Sequence, residues 1–200
     1  MIVCKFGGTS VADAGAIGRL ADIVRARQAE QPVVVVSALA GVTDGLLGLA
    51  RLVHQGDAAA LDAALTALLR RHDKTAKALP GALPAMEQIA ADAATLDDEL
   101  SGARGRMLRP AELDALAGRG ELWSSRLVAA ALEGAGIPTA WVDIRAIMVT
   151  DDRFGRATPY TQVLNTRARE CLRPLLDAGL IPVTQGFIGA TADGVPTTLG

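Results

Sequence analysis

Cysteine is scarce in this chain of 200 residues: Cys4 and Cys171 are the only two, and they lie far apart. Their isolation excludes a disulfide framework and any cysteine-based zinc spacing. Both read as small buried hydrophobes in a reducing compartment. Histidine is as rare. His54 and His72 fall in helix-like segments without a second ligand at metal spacing, and both are expected at the surface. Neither sign of charge dominates, since 20 Lys and Arg against 22 Asp and Glu leave a net charge of −2. With no basic stripe, nucleic acid is not an expected partner. No apolar run approaches the roughly 20 residues of a membrane-spanning helix. The N-terminus also lacks the basic-then-apolar order of a secretory signal. These absences lead to the expectation of a soluble, cytoplasmic chain. Two nucleotide-binding signatures are missing as well, G-x-x-x-x-G-K-[ST] and G-x-G-x-x-G.

What is present begins at Lys5-Phe6-Gly7-Gly8-Thr9-Ser10. An apolar, strand-like run, Met1 to Cys4, precedes it. After it, Val11, Ala12, Gly15, Ile17, Leu20, Ala21 and Val24 recur at helical spacing. Ser10 is the expected helix cap, with Asp13 as its capping-box partner. Two glycines before a helix N-terminus let backbone N–H groups converge on an anion, and Lys5 adds a positive charge beside them. The pattern suits a phosphate; a strand–helix turn with no ligand is the plainer alternative.

Half of the residues are apolar, enough for the core of one domain. Val33 to Val36 reads as a buried strand of a parallel sheet, closing a βαβ unit. The loop from Ser37 to Val42 leads to Thr43, a plausible helix cap. From about 56 to 118 the chain is rich in alanine and leucine, and its periodicity predicts two long helices and a short one, an insertion packed on the main sheet. Gly120-Glu121 is expected to open another helix, ending at Gly134 and Gly136. A strand is expected over 138–143, a polar turn at Asp151 to Gly155, and a helix over 166–178 with a kink or early end at Pro174. Asp151 and Asp152 read as turn residues rather than metal ligands. A strand at Ile181 to Thr184 and a hairpin turn at Ala192-Asp193-Gly194 follow. The chain stops in what reads as a returning strand, which suggests a truncated protein.

Six pieces in order resemble the aspartokinases of the amino acid kinase superfamily: Lys5 to Val11, Val36 to Thr43, Gly120-Glu121, the run of Trp141-Val142-Asp143, Val149 to Asp152 and Phe154-Gly155, Gln185 to Thr191, and Thr197-Thr198-Leu199-Gly200. The resemblance spans almost the whole chain. It implies an α/β, three-layer sandwich with a mainly parallel central sheet, helices on both faces and a helical insertion. Residues 1–200 would be the N-terminal portion of a kinase domain, without its nucleotide-binding half or regulatory ACT domains. The implied activity is ATP-dependent phosphorylation of the side-chain carboxylate of L-aspartate, the first step toward lysine, threonine and methionine. The fragment alone is expected to be inactive, because the family's substrate-gripping arginine and an organising aspartate follow the position of Gly200. A fusion to homoserine dehydrogenase or diaminopimelate decarboxylase, or another amino acid kinase, is the alternative. By resemblance, Lys5 is catalytic, and Lys5, Gly7, Gly8, Thr9 and Ser10 hold ATP phosphates. Ser37, Thr43, Glu121 and Phe187 contact the amino acid. Mg2+ would be carried mainly by the nucleotide phosphates, with no protein metal site, and the full-length protein would be a homo-oligomer. Without the resemblance, Glu121 reads as a first-turn glutamate favoured by the helix dipole. Ser37 and Thr43 then read as turn and cap residues, and Phe187 as core.

Overall fold

A computed structural model describes residues 1–199; Gly200, the last residue of the final matching piece, lies outside the described residues. Four parallel strands, β1 (Ile2–Phe6), β2 (Pro32–Val36), β3 (Thr139–Trp141) and β4 (Ile181–Gln185), form one sheet in the order β1-β2-β4-β3. The valine run occupies a central position, as an uninterrupted apolar strand must when both faces are covered. The steps β1 to β2 and β3 to β4 cross the sheet in opposite directions. Right-handed crossovers therefore put their connecting helices, α1 (Ala14–Ala26) and α6 (Thr161–Asp177), on opposite faces. This is the expected three-layer arrangement.

Between β2 and β3 run α2 (Val42–Gln55), α3 (Ala58–Lys77), α4 (Leu83–Gly102) and α5 (Pro110–Gly134). Asp57 caps α3 by accepting the N–H of Ala60 at 3.0 Å. The apolar stripes of these helices, such as Leu46, Leu49 and Val53 on α2 and Ile89, Ala93, Leu96 and Leu100 on α4, join Ile17 and Val34 in one continuous core. The α3–α4 hairpin packs on α2 and α5 within that core rather than around a core of its own. A short antiparallel hairpin, β5 (Ile188–Ala190) and β6 (Pro196–Thr198), turns through Gly194.

Several local expectations are overturned. The short third helix does not exist as a separate element, and Gly120-Glu121 opens nothing, because α5 runs unbroken from Pro110. Pro110 suits the first helical turn, and Glu112 reaches back to accept the N–H of Arg109 at 2.6 Å, a stronger start signal than a glycine. Ser10 does not cap α1. It lies in a 3-10 turn over Gly8–Val11, and the Asp13 side chain caps instead by accepting from the Ala16 N–H at 2.8 Å. Thr43 does not cap α2 either: Gly41, with φ +77°, is the N-cap, and Thr43 is already helical. The last helix starts at Thr161 and continues through Pro174 to Asp177. His72 is fully buried, while Cys171 is exposed. The His72 ring meets Trp123 edge-on at 5.2 Å, and its Nδ1 lies 2.8 Å from the Leu68 carbonyl oxygen. Among the described residues, no helix is long and apolar enough to cross a membrane.

Candidate active site at the carboxyl ends of the strands

Phe6, Val36 and Gln185 are paired across β1, β2 and β4, so three loops leave the sheet at one level. The ladder extends one step beyond them, with Ser37 N–H on the Phe6 carbonyl at 3.1 Å and Gly186 N–H on that of Val36 at 2.9 Å. The carboxyl edge of an open parallel sheet is where such folds receive ligands. Alternation along the strands puts Lys5, Val35 and Thr184 on one face and Phe6, Val36 and Gln185 on the other. The second face carries α5, since Gln185 Nε2 donates to Ser125 Oγ at 2.7 Å. Lys5 thus stands on a strand one residue from its end, exposed and in no ion pair among the described residues.

Gly7, Gly8, Thr9 and Ser10 form the first loop, with Ser10 N–H on the Gly7 carbonyl at 2.8 Å. The N–H groups of Gly7, Gly8 and Thr9 have no protein acceptor among the described residues. Three adjacent donors beside a lysine fit an anion such as a phosphate. The loop packs on its neighbour: a Cβ on Gly8 would lie 3.2 Å from the Ala38 carbonyl oxygen.

The second loop, Ser37 to Gly41, is pinned from α5, where the Ser124 hydroxyl donates to the Ser37 carbonyl at 2.7 Å. Glu121 lies one turn before Ser124, in the middle of a 25-residue helix, and is only 2% exposed. The helix-dipole reading of this residue therefore falls away. Burial pushes its carboxyl up to about 7, and the backbone N–H groups of Glu121 itself and Ala38 only partly oppose the shift. Its Oε2 is buried without a hydrogen-bond partner among the described residues. A buried carboxyl with a free oxygen and no cation is incomplete without one. Thr43 is half-buried in the first turn of α2, across the same loop.

Phe187 follows Gly186 at the third strand end. Its φ of +66° is unusual for a residue with a side chain, and Ile188 N–H closes the tight turn onto the Gly186 carbonyl at 2.8 Å. The half-buried ring packs against a second apolar cluster with Leu122, Ile144, Ile147 and Ile188. The Phe187 carbonyl accepts the N–H of Leu199 at 2.8 Å, so the strand toward Thr197-Thr198-Leu199 is tied to this turn.

The fold thus gathers Lys5, Gly7, Gly8, Ser37, Glu121 and Phe187 around three strand ends, with Thr9, Ser10 and Thr43 on the adjoining loops. Two nearby carboxylates are engaged in local ion pairs instead. Asp143 pairs with Arg145 at 2.7 Å, and Asp151 with Arg153 at 2.8 Å inside its turn. No group of three or more His, Cys, Asp or Glu able to hold a metal occurs among the described residues. Sequence reasoning missed Ser124, whose role rests on a contact 87 residues distant, and Asp114, which clasps two remote loops. Ser124 carried a faint signal, one helical turn beyond Glu121.

The whole chain, residues 1–200, matches the amino acid kinase family. It is 38% identical over 207 residues to the lysine-sensitive aspartokinase 3 of Escherichia coli strain K12, covering 100% of this chain and 43% of that protein. The crystal structure of E. coli aspartokinase III with lysine and aspartate superposes with a TM-score of 0.90 at 36% identity, covering 100% of this chain and 44% of that one. A second structure of that enzyme, with aspartate and ADP, gives a TM-score of 0.86 at 36% identity, with 100% and 43% covered. The chain therefore spans less than half the length of these relatives. Its loops, its sheet and the match along every residue make it a member of the amino acid kinase family.

Proposed function

We propose that this chain supplies the phosphate-holding and acceptor-holding loops of an aspartate kinase, which moves the γ-phosphoryl group of ATP onto the side-chain carboxylate of L-aspartate. The observation that carries the reading is Glu121, a buried carboxyl beside the second loop whose Oε2 has no partner among the described residues. An α-ammonium placed there would complete the pair and hold the carboxylate ionised. The relatives crystallised with aspartate and with ADP support the same substrates.

The chemistry asks little proton transfer of the protein. The side-chain carboxylate of aspartate is ionised at neutral pH and attacks without a general base. The obstacle is the approach of an anion to a polyanion, so catalysis rests on positioning and charge neutralisation. Lys5 and the free N–H groups of Gly7, Gly8 and Thr9 present positive potential to the phosphates, with Ser10 on the same loop. Mg2+ supplies further neutralisation when bound through the nucleotide phosphates. Ser37 and Thr43 offer hydroxyls to the amino acid, and Phe187 shapes its side of the pocket. In this reading residues 1–200 are the N-terminal portion of the kinase domain, with an insertion over about 56–118. Residues outside the chain then hold adenine and ribose. A cytoplasmic, homo-oligomeric enzyme belongs to the same reading.

An acceptor panel on the full-length protein tests it. Aspartate is expected to be phosphorylated and N-acetylaspartate, which has no ammonium for Glu121, to be refused. Preference for an acylated acceptor would replace this reading with that of another amino acid kinase.

A further inference from the structure

Asp114 is 5% exposed, on the second turn of α5, and its carboxylate joins three segments remote in sequence. Its Oδ1 accepts the Gly155 N–H at 3.0 Å and the Thr198 hydroxyl at 2.9 Å. Its Oδ2 accepts the same Gly155 N–H at 2.9 Å and the Thr198 N–H at 2.8 Å. Three neutral donors of the protein thus hold the carboxylate, with the Gly155 N–H shared between its two oxygens. Both oxygens are engaged by the protein itself. The group is a clasp rather than a binding residue.

What it clasps leads directly to the site. The residue after Thr198, Leu199, donates its N–H to the Phe187 carbonyl at 2.8 Å, and Phe187 keeps the left-handed φ of +66°. Such a conformation persists only where the surroundings over-determine it. Besides the apolar cluster that Leu122 shares with Phe187 and Ile188, two close contacts hold this strap against α5. One is the Asp114 clasp; the other is the contact at Gly118, whose absent Cβ would lie 3.3 Å from Ile188 Cγ2. Seven residues beyond Asp114 on the same helix sits Glu121. Seven residues are close to two helical turns, so both carboxyls lie on one face, about 10 Å apart along the axis. A single rigid helix therefore carries the clasp of the strap and the buried carboxyl of the pocket.

We propose that Asp114 is a positioning residue, which fixes the Phe187–Leu199 strap relative to Glu121 and so sets the affinity of the site for its amino acid. The part concerning affinity rests on the function proposed above; the part concerning the strap does not.

The test is Asp114→Asn in the full-length protein, beside Thr198→Val. The asparagine keeps the shape but turns one acceptor into a donor facing the N–H groups of Gly155 or Thr198. Thr198→Val removes only the hydroxyl bond and covers the case in which Asp114→Asn does not fold. Amide hydrogen exchange at Thr198 and Leu199 is expected to quicken about tenfold in Asp114→Asn, the scale of one lost hydrogen bond to a charged group, and less in Thr198→Val. Exchange in α3 and α4 is expected to stay unchanged. The KM for aspartate is expected to rise about tenfold while the KM for ATP stays within about twofold. Unchanged exchange at Thr198 and Leu199 in the folded variants overturns the clasp, whatever the enzyme phosphorylates. Faster exchange with an unaltered aspartate KM overturns its link to the pocket. A wild-type protein that ignores aspartate defeats the functional reading, and the exchange measurement still decides the clasp.

Discussion

The Cβ that Gly120 lacks would lie 2.9 Å from the Cβ of Ala38, closer than two such atoms approach. Val42 Cγ1 at 3.2 Å and Leu46 Cδ1 at 3.4 Å close the same gap. This contact lets α5 press against the second loop and brings Glu121, the next residue, to the strand ends. Gly120→Ala gains up to about 1 kcal/mol of helix propensity but overpacks a contact worth about 1–3 kcal/mol. The expected balance is a loss of about 1 kcal/mol in denaturant melts, with a raised KM for aspartate. A variant as stable and active as the parent would show that the loop yields freely.

Lys5→Ala is expected to leave the fold intact, because the side chain is exposed and in no ion pair among the described residues. Loss of a charge aimed at the transferring phosphoryl group typically costs several kcal/mol of transition-state stabilisation. Steady-state kcat of the full-length variant, with circular dichroism as a folding control, is the measurement. A near-normal kcat would remove Lys5 from the catalytic machinery.

Glu121 links function to pH. Its carboxyl is raised by burial from an ordinary 4.5 to about 7. A raised folded-state value means that the stabilisation is fully present below the unfolded value and is lost as pH rises through 7. The ligand-free protein is therefore expected to weaken between about pH 4.5 and 7, by about 3 kcal/mol at the upper end. Glu121→Gln should be flatter over that range and more stable than the parent at pH 8, while binding aspartate more weakly by about 1.5–3 kcal/mol. Urea melts at pH 5 and 8, beside the aspartate KM, separate the two effects. Equal pH dependence in variant and parent would contradict the burial of an unpaired carboxyl.

His72 works in the opposite sense. Burial lowers its value below the ordinary 6.5, with the Leu68 carbonyl opposing and the Arg71 guanidinium adding to the shift. The neutral ring is favoured in the folded state, so its contribution is present above pH 6.5 and is lost as pH falls further. His72→Phe is expected to lose less stability than the parent between pH 6.5 and 5, since its ring keeps the edge contact with Trp123. Melts across that interval check it, and an identical acid limb in both proteins would clear His72 of responsibility.

Local chemistry made part of this protein legible. The Val33–Val36 run reads as a strand covered on both faces, and Lys5 with its two glycines as the end of a strand in a glycine turn; β2 and the 3-10 turn after Gly7 stand there. Both follow from periodicity and backbone freedom over a few residues. The motifs carried the family and the three-layer fold with them. Competition between equally good local signals went the other way. Ser10 and Asp13 are both good caps, and where the 3-10 turn ends decides between them. Gly120 looked like a helix start because a glycine inside a helix is unfavourable by itself; its reason is Ala38, some eighty residues earlier. Tertiary packing alone decided that His72 is buried, that Glu121 Oε2 has no partner among the described residues, and that Asp114 holds Thr198 from 84 residues away. Burial and hydrogen-bond satisfaction belong to the assembled core, where residues meet whose separation along the chain no local pattern records.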